Sequence, residues 1–173
     1  MEPRVVGPIR FDYAQLQMDF DKVLSLIREM NREEVAYITF GAVALNLHGI
    51  VRATTVADFF IKPDRDNIER LKRTLRRVWN DPHIDEITAE DLLGEYPSIT
   101  YGPPDDSFAI DFLTRLGEMY SFDSLESEII EVEGLPNRTV TAAKLYEMKR
   151  NTVRLKDKAD CVALNEKFHF EES

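Results

Sequence analysis

Two aspartates, Asp58 and Asp111, interrupt runs that are otherwise apolar, and a carboxylate in such a setting needs a cation or a hydrogen-bonding partner. The run Ala57-Asp58-Phe59-Phe60-Ile61 reads as a strand, and Phe108 to Leu113 alternates as another. Side chains two apart on a strand share a face, so Asp111 points away from Phe108, Ile110 and Phe112 and meets Asp58 if the two strands are neighbours. Acids two apart on one strand can share a metal ion above a sheet. The residue two before Asp58 is Val56, which ligates nothing. The chemistry open to Asp58 and Asp111 is therefore metal or substrate binding, and the competing reading is a salt bridge to Arg52, Lys144 or Lys149.

Other residues carry weaker signals. Gly41 follows an apolar run and suits either a tight strand-to-helix turn or a close backbone approach to phosphate. Asp157 and Asp160, three apart, can share a helix face; Asp160 reads equally as an exposed partner of Lys156. Arg150 and Lys158 read as solvated. His48, His83 and His169 lack metal-ligand spacing, and Cys161 reads as core rather than nucleophile. Trp79 reads as packing, and Tyr96 and Tyr101 as residues able to frame a pocket.

These residues need elements to hold them. Leu16, Phe20, Val23, Leu24, Ile27 and Met30 predict an amphipathic helix over about 13–32. A buried strand over 35–40 ends at Gly41, and a short helix over 42–47 closes at His48-Gly49. Pro63 and Asp64 open a helix whose buried face is Ile68, Leu71, Leu75 and Val78. Between 80 and 106 four prolines divide the chain into short pieces, with a helical turn at 88–94 and a strand at 98–101. Residues 128–133 and 138–140 predict a hairpin across Gly134-Leu135-Pro136-Asn137. Two helices follow, at 141–152 and 155–168, the first capped by Thr141. The order predicts an α+β protein with a mixed β-sheet covered by helices, one domain over 1–173 with a core at 35–140 and C-terminal helices at 141–168.

Composition narrows the class. The chain has 173 residues, 43% hydrophobic and 31% charged, with no apolar run long enough to span a membrane. The start Met1-Glu2-Pro3-Arg4 lacks an export signal and the lone Cys161 forms no internal disulfide, so the expected location is cytoplasmic. The net charge of −10 is uneven: residues 62–77 hold seven Lys/Arg against three acids and residues 142–158 hold six against two. Both segments suit solvated helix faces, and either suits a phosphate-bearing ligand.

Five short motifs together resemble a known family. Phe40-Gly41-Ala42-Val43-Ala44-Leu45, His48-Gly49-Ile50-Val51-Arg52-Ala53-Thr54 and Asp58-Phe59-Phe60-Ile61 resemble the opening of bacterial minimal nucleotidyltransferases, nearest to the abortive-infection toxin type, AbiEii-like. Lys144 and Lys149 match its lysine, four residues, lysine-or-arginine pattern, and Arg154-Leu155-Lys156-Asp157 its Arg-any-Lys-Asp pattern. The resemblance implies the nucleotidyltransferase fold, with Mg2+ as cofactor and a nucleoside triphosphate as substrate. It implies Asp58 and Asp111 as metal ligands, and Asp58, Asp111, Lys144, Lys156 and Asp157 as catalytic residues. Gly41, Ala42, Arg52, Thr54, Lys149 and Arg154 are the implied nucleotide contacts. The acceptor in such relatives is RNA or protein, and the branch frequently pairs a toxin with an antitoxin.

Two departures stand out. Ala42 replaces a second Gly or Ser, and Val56 replaces the first metal aspartate. The loss of a bridging carboxylate predicts weaker metal binding and slower chemistry. Two functions therefore compete: metal-dependent transfer of a nucleoside monophosphate to a hydroxyl, and a non-catalytic module that binds nucleotide, RNA or a partner.

Overall fold

The computed structural model describes residues 4–5 and 17–171. Its sheet runs β1 (Arg4–Val5), β8 (Ser127–Val132), β9 (Leu135–Val140), β2 (Tyr37–Phe40), β3 (Val56–Ile61), β5 (Ala109–Leu113) and β4 (Ser98–Tyr101), in that spatial order. Pairing is mixed: β3 lies antiparallel to β2 and parallel to β5, while β4 closes the edge antiparallel to β5. A separate two-stranded ribbon joins β6 (Arg115–Leu116) to β7 (Tyr120–Ser121).

Alternation along β3 and β5 divides the interior into two cores. Ala57, Phe59, Ile61, Ile110 and Phe112 point to one face, against α1 (Phe20–Arg32) and α3 (Arg65–Val78). Phe60 and Leu113 point to the other, where Leu45 of α2 (Gly41–Leu47), Leu145 of α5 (Ala142–Arg150) and Leu164 of α6 (Leu155–Phe168) cover them. Asp58 and Asp111 share the face of Phe60 and Leu113, so both acids look toward α5 and α6.

The predicted elements recur with informative differences. α1 begins at Phe20, because Asp19 caps it by accepting from the Lys22 amide; residues 13–16 of the predicted helix lie outside the described residues. α3 starts after Asp64, whose side chain accepts from the Asn67 amide. Ile68, Leu71 and Leu75 are fully buried, while Val78 is only partly covered. The helical turn expected at 88–94 is α4 (Ala89–Leu93), opened by a capping box between Thr88 and Asp91. The hairpin is tighter than predicted. Its loop is Glu133-Gly134, both with positive φ (52° and 77°), which is the backbone of a two-residue turn that follows strand twist. Leu135, Pro136 and Asn137 consequently lie in β9, not in the loop. α5 ends at Arg150, capped at its start by Thr141 as predicted.

Candidate nucleotide cleft

The cleft begins at one sharp turn. β2 ends at Phe40, and Gly41 enters α2 with φ +67°, a conformation that side chains with a β-carbon rarely adopt. A methyl at position 41 would also overlap the Asp58 Oδ2 atom. Gly41 is therefore fixed twice, by its own backbone and by the carboxylate pressed against it.

Asp58 and Asp111 face each other in register on the parallel strands β3 and β5. The Thr100 hydroxyl, in register with Asp111 on β4, donates to Asp111 Oδ1 at 2.6 Å. Burial and the neighbouring Asp111 charge push the Asp58 carboxyl from 3.8 up to about 7, with Lys149 opposing them. Among the described residues no Lys, Arg or His forms an ion pair with either acid, and no group of three His, Cys, Asp or Glu is gathered for a metal. Two hard oxygen donors facing each other across neighbouring strands are the donor type that could hold a divalent cation such as Mg2+. Val56 stands in register with Ala109 one step along the same face, so the position of a third carboxylate is apolar.

Above the acids lies a cleft of about 490 Å³, lined by Gly41, Ala42, Arg52, Thr54, Asp58, Lys149, Arg154, Lys156 and Asp157 among others. Nine of the eleven residues singled out in the sequence thus gather there, with Asp111 beside Asp58 beneath them. Lys144 is the exception. Its ammonium bonds Glu147 Oε2 at 2.8 Å and does not line the cleft. Residues five apart on an α-helix point about 140° apart, so Lys144 and Lys149 leave α5 in different directions and Lys149 is the one that points into the cleft. Leu145, Met148, Lys149 and Thr152 form the face that does.

The cations of the cleft are of two kinds. Lys149 Nζ donates to Asp157 Oδ1 at 2.9 Å and Asp160 Oδ2 at 2.8 Å; burial works against its charge, and these bonds outweigh burial and raise its pKa. Arg52 Nε donates to Asp160 Oδ1 at 2.9 Å. Asp160, read from sequence as an exposed partner of Lys156, is instead 3% exposed and holds both cations. Its spacing from Asp157 was the available signal; its burial was not visible because α6 has weak apolar patterning. Asp157 accepts from Lys149 and also from the Thr152 hydroxyl at 2.7 Å. Arg154 and Lys156 are exposed and, among the described residues, form no ion pair. The Thr54 hydroxyl bonds both the amide and carbonyl of Val56, fixing the start of β3.

Trp79 packs against Tyr101 and Phe108 and donates to Asp106. Tyr101 lines a second cavity with Asp81, which accepts its hydroxyl, whereas Tyr96 is exposed and lines none of the described cavities. His48 is buried between Arg4 and the Val140 carbonyl.

No protein-family model matches the chain, and no curated protein matches its sequence. Solved structures do match. An antigenic nucleotidyltransferase-like protein from Paracoccidioides brasiliensis aligns with a TM-score of 0.55 at 12% identity, over 85% of this chain and 76% of that one. A proposed nucleotidyltransferase from Thermotoga maritima gives 0.54 at 14%, over 85% and 92%. This chain has the nucleotidyltransferase fold. The same fold is shared by ANT(2″)-Ia, solved with adenylyl-2″-tobramycin, at a TM-score of 0.53 and 10% identity over 89% and 92%. At these identities the likeness speaks for the fold alone.

Proposed function

We propose that the cleft binds a nucleoside triphosphate with Mg2+ at Asp58 and Asp111, and transfers its nucleoside monophosphate to a hydroxyl of an RNA or protein acceptor. The observation that carries this is the in-register pair Asp58–Asp111 lying against Gly41 at the floor of a cation-lined cleft. When bound, Mg2+ would neutralise charge on the triphosphate and on the two carboxylates. Gly41 lets the backbone at the start of α2 come close to phosphate. Lys149 and Arg52, locked by Asp160, set positive charge over the acids. Arg154 and Lys156, exposed at the cleft and in no ion pair among the described residues, meet the outer phosphates. The acceptor oxygen bonds the α-phosphorus, the bond to the β-phosphate breaks, and pyrophosphate and the hydroxyl proton leave. Lys144 has no part in this scheme.

Val56 and Ala42 favour a slow enzyme or a binding module, because the second departure adds a methyl at the turn and the first removes a metal carboxylate. We assign the chain to the AbiEii-like branch on its lysine and Arg-any-Lys-Asp motifs, and with that branch come a cytosolic site of action and an antitoxin-like partner. Incubation with labelled nucleoside triphosphates, Mg2+ and RNA or protein acceptors tests the activity. Label transfer that rises in Val56→Asp and disappears in Asp111→Asn supports the enzyme. Triphosphate binding without transfer in either the native chain or Val56→Asp supports the module.

A further inference from the structure

Asp111 is the middle residue of a row that crosses three strands on one face: Asp58 on β3, Asp111 on β5 and Thr100 on β4. On one side it faces an acid; on the other it receives a hydroxyl proton donor at 2.6 Å. We infer that Thr100 is a positioning residue for Asp111, fixing the rotation of its carboxylate so that Oδ2 remains available to a divalent cation shared with Asp58. This inference rests on the cleft reading above.

The chemistry follows from the donor count. A threonine hydroxyl has one proton, and here Asp111 Oδ1 takes it. A hydrogen bond to an ionised acceptor is stronger than a neutral one and fixes direction as well as energy. Branching at the β-carbon restricts the Thr100 rotamer, and antiparallel pairing holds it directly opposite Asp111. The bond also opposes the repulsion that would turn Asp111 away from Asp58. A site with only two carboxylates depends on the orientation of each, and partners that orient metal ligands typically change affinity by about 10–100-fold.

The test is Mn2+ binding to the full chain, followed by the loss of the free-ion electron paramagnetic resonance signal, with and without a nucleoside triphosphate. Thr100→Val keeps the strand shape and removes the donor; Thr100→Ser keeps the donor. The inference predicts Mn2+ affinity about 10-fold lower in Thr100→Val and within about 3-fold of native in Thr100→Ser, with unchanged thermal unfolding midpoints in both. Native affinity in Thr100→Val overturns it, as does an equal loss in both variants, which would assign the effect to strand shape. Asp58→Asn separates this from the parent reading. If the native chain and Asp58→Asn bind Mn2+ alike, or neither binds, the cleft reading fails and Thr100 falls with it; if Asp58→Asn loses binding while Thr100→Val does not, only the role of Thr100 fails.

Discussion

A methyl group at position 41 would have to displace the Asp58 carboxylate while the backbone held a positive φ. Gly117 offers a control, since it also has positive φ (+58°) but a β-carbon there meets nothing within 4 Å. Backbone strain alone costs about 1–2 kcal/mol in such positions. Urea denaturation should therefore show Gly117→Ala losing about 1 kcal/mol and Gly41→Ala clearly more, about 3 kcal/mol. Equal losses would mean that Asp58 does not press on the turn. Titration separates two further residues. His48 is held down to about 4 from 6.5 by burial, with Arg4 and Lys167 adding to it and the Val140 carbonyl opposing. Its stabilising contribution is complete above pH 6.5 and is lost as pH falls through 4. Asp58 has the opposite sign: its folded pKa of about 7 exceeds 3.8, so its contribution is complete below 3.8 and is lost as pH rises through 7. Without divalent metal the two slopes oppose one another. Asp58→Asn should unmask the His48 slope, a loss on the order of 3 kcal/mol between pH 6.5 and 4, and parallel native and variant profiles would contradict the raised Asp58 pKa.

At the scale of elements, α5 and α6 act through one buried acid. Asp160 binds Arg52 and Lys149 at once, and removing it strips Arg52 of its carboxylate while Lys149 keeps Asp157, a loss of about 3 kcal/mol for a partner removed from a buried ion pair. Asp160→Asn should lose stability of that order by urea denaturation, whereas Lys144→Ala should change it by less than about 0.5 kcal/mol, its pair with Glu147 being at the surface. A silent Asp160→Asn would show the network to be solvated. The same elements show what sequence can and cannot reveal. Alternation placed Asp111 opposite Phe112 and beside Asp58, because period-two patterning encodes facing directly. Caps at Asp64 and Thr141 were equally legible. The hairpin loop is not legible in the same way, because Pro136 reads as a turn residue although it lies in β9 opposite Glu131, and β2 pairs with β9 at Thr139, beyond the proline. The Arg52–Asp160 pair joins residues 108 apart in the chain and has no local pattern.

For the whole molecule, the distribution of charge decides more than its total. The first basic segment lies on α3, on the far face of the sheet from the cleft, where Arg65, Arg73, Arg76 and Arg77 are matched by Glu90, Glu33 and Asp85. The second lines the cleft, and its Arg154 and Lys156 have no such match among the described residues. Of two segments with equal net charge in the sequence, only one is placed to meet phosphate. The central claim is that this cleft takes a triphosphate together with a divalent cation on Asp58 and Asp111. Calorimetric titration of nucleoside triphosphates into the native chain and Asp58→Asn, with and without Mg2+, tests it most directly. The account predicts one triphosphate per chain, bound only with Mg2+ and at least about 10-fold more weakly by Asp58→Asn; binding indifferent to both Mg2+ and the substitution, or no binding at all, would contradict it.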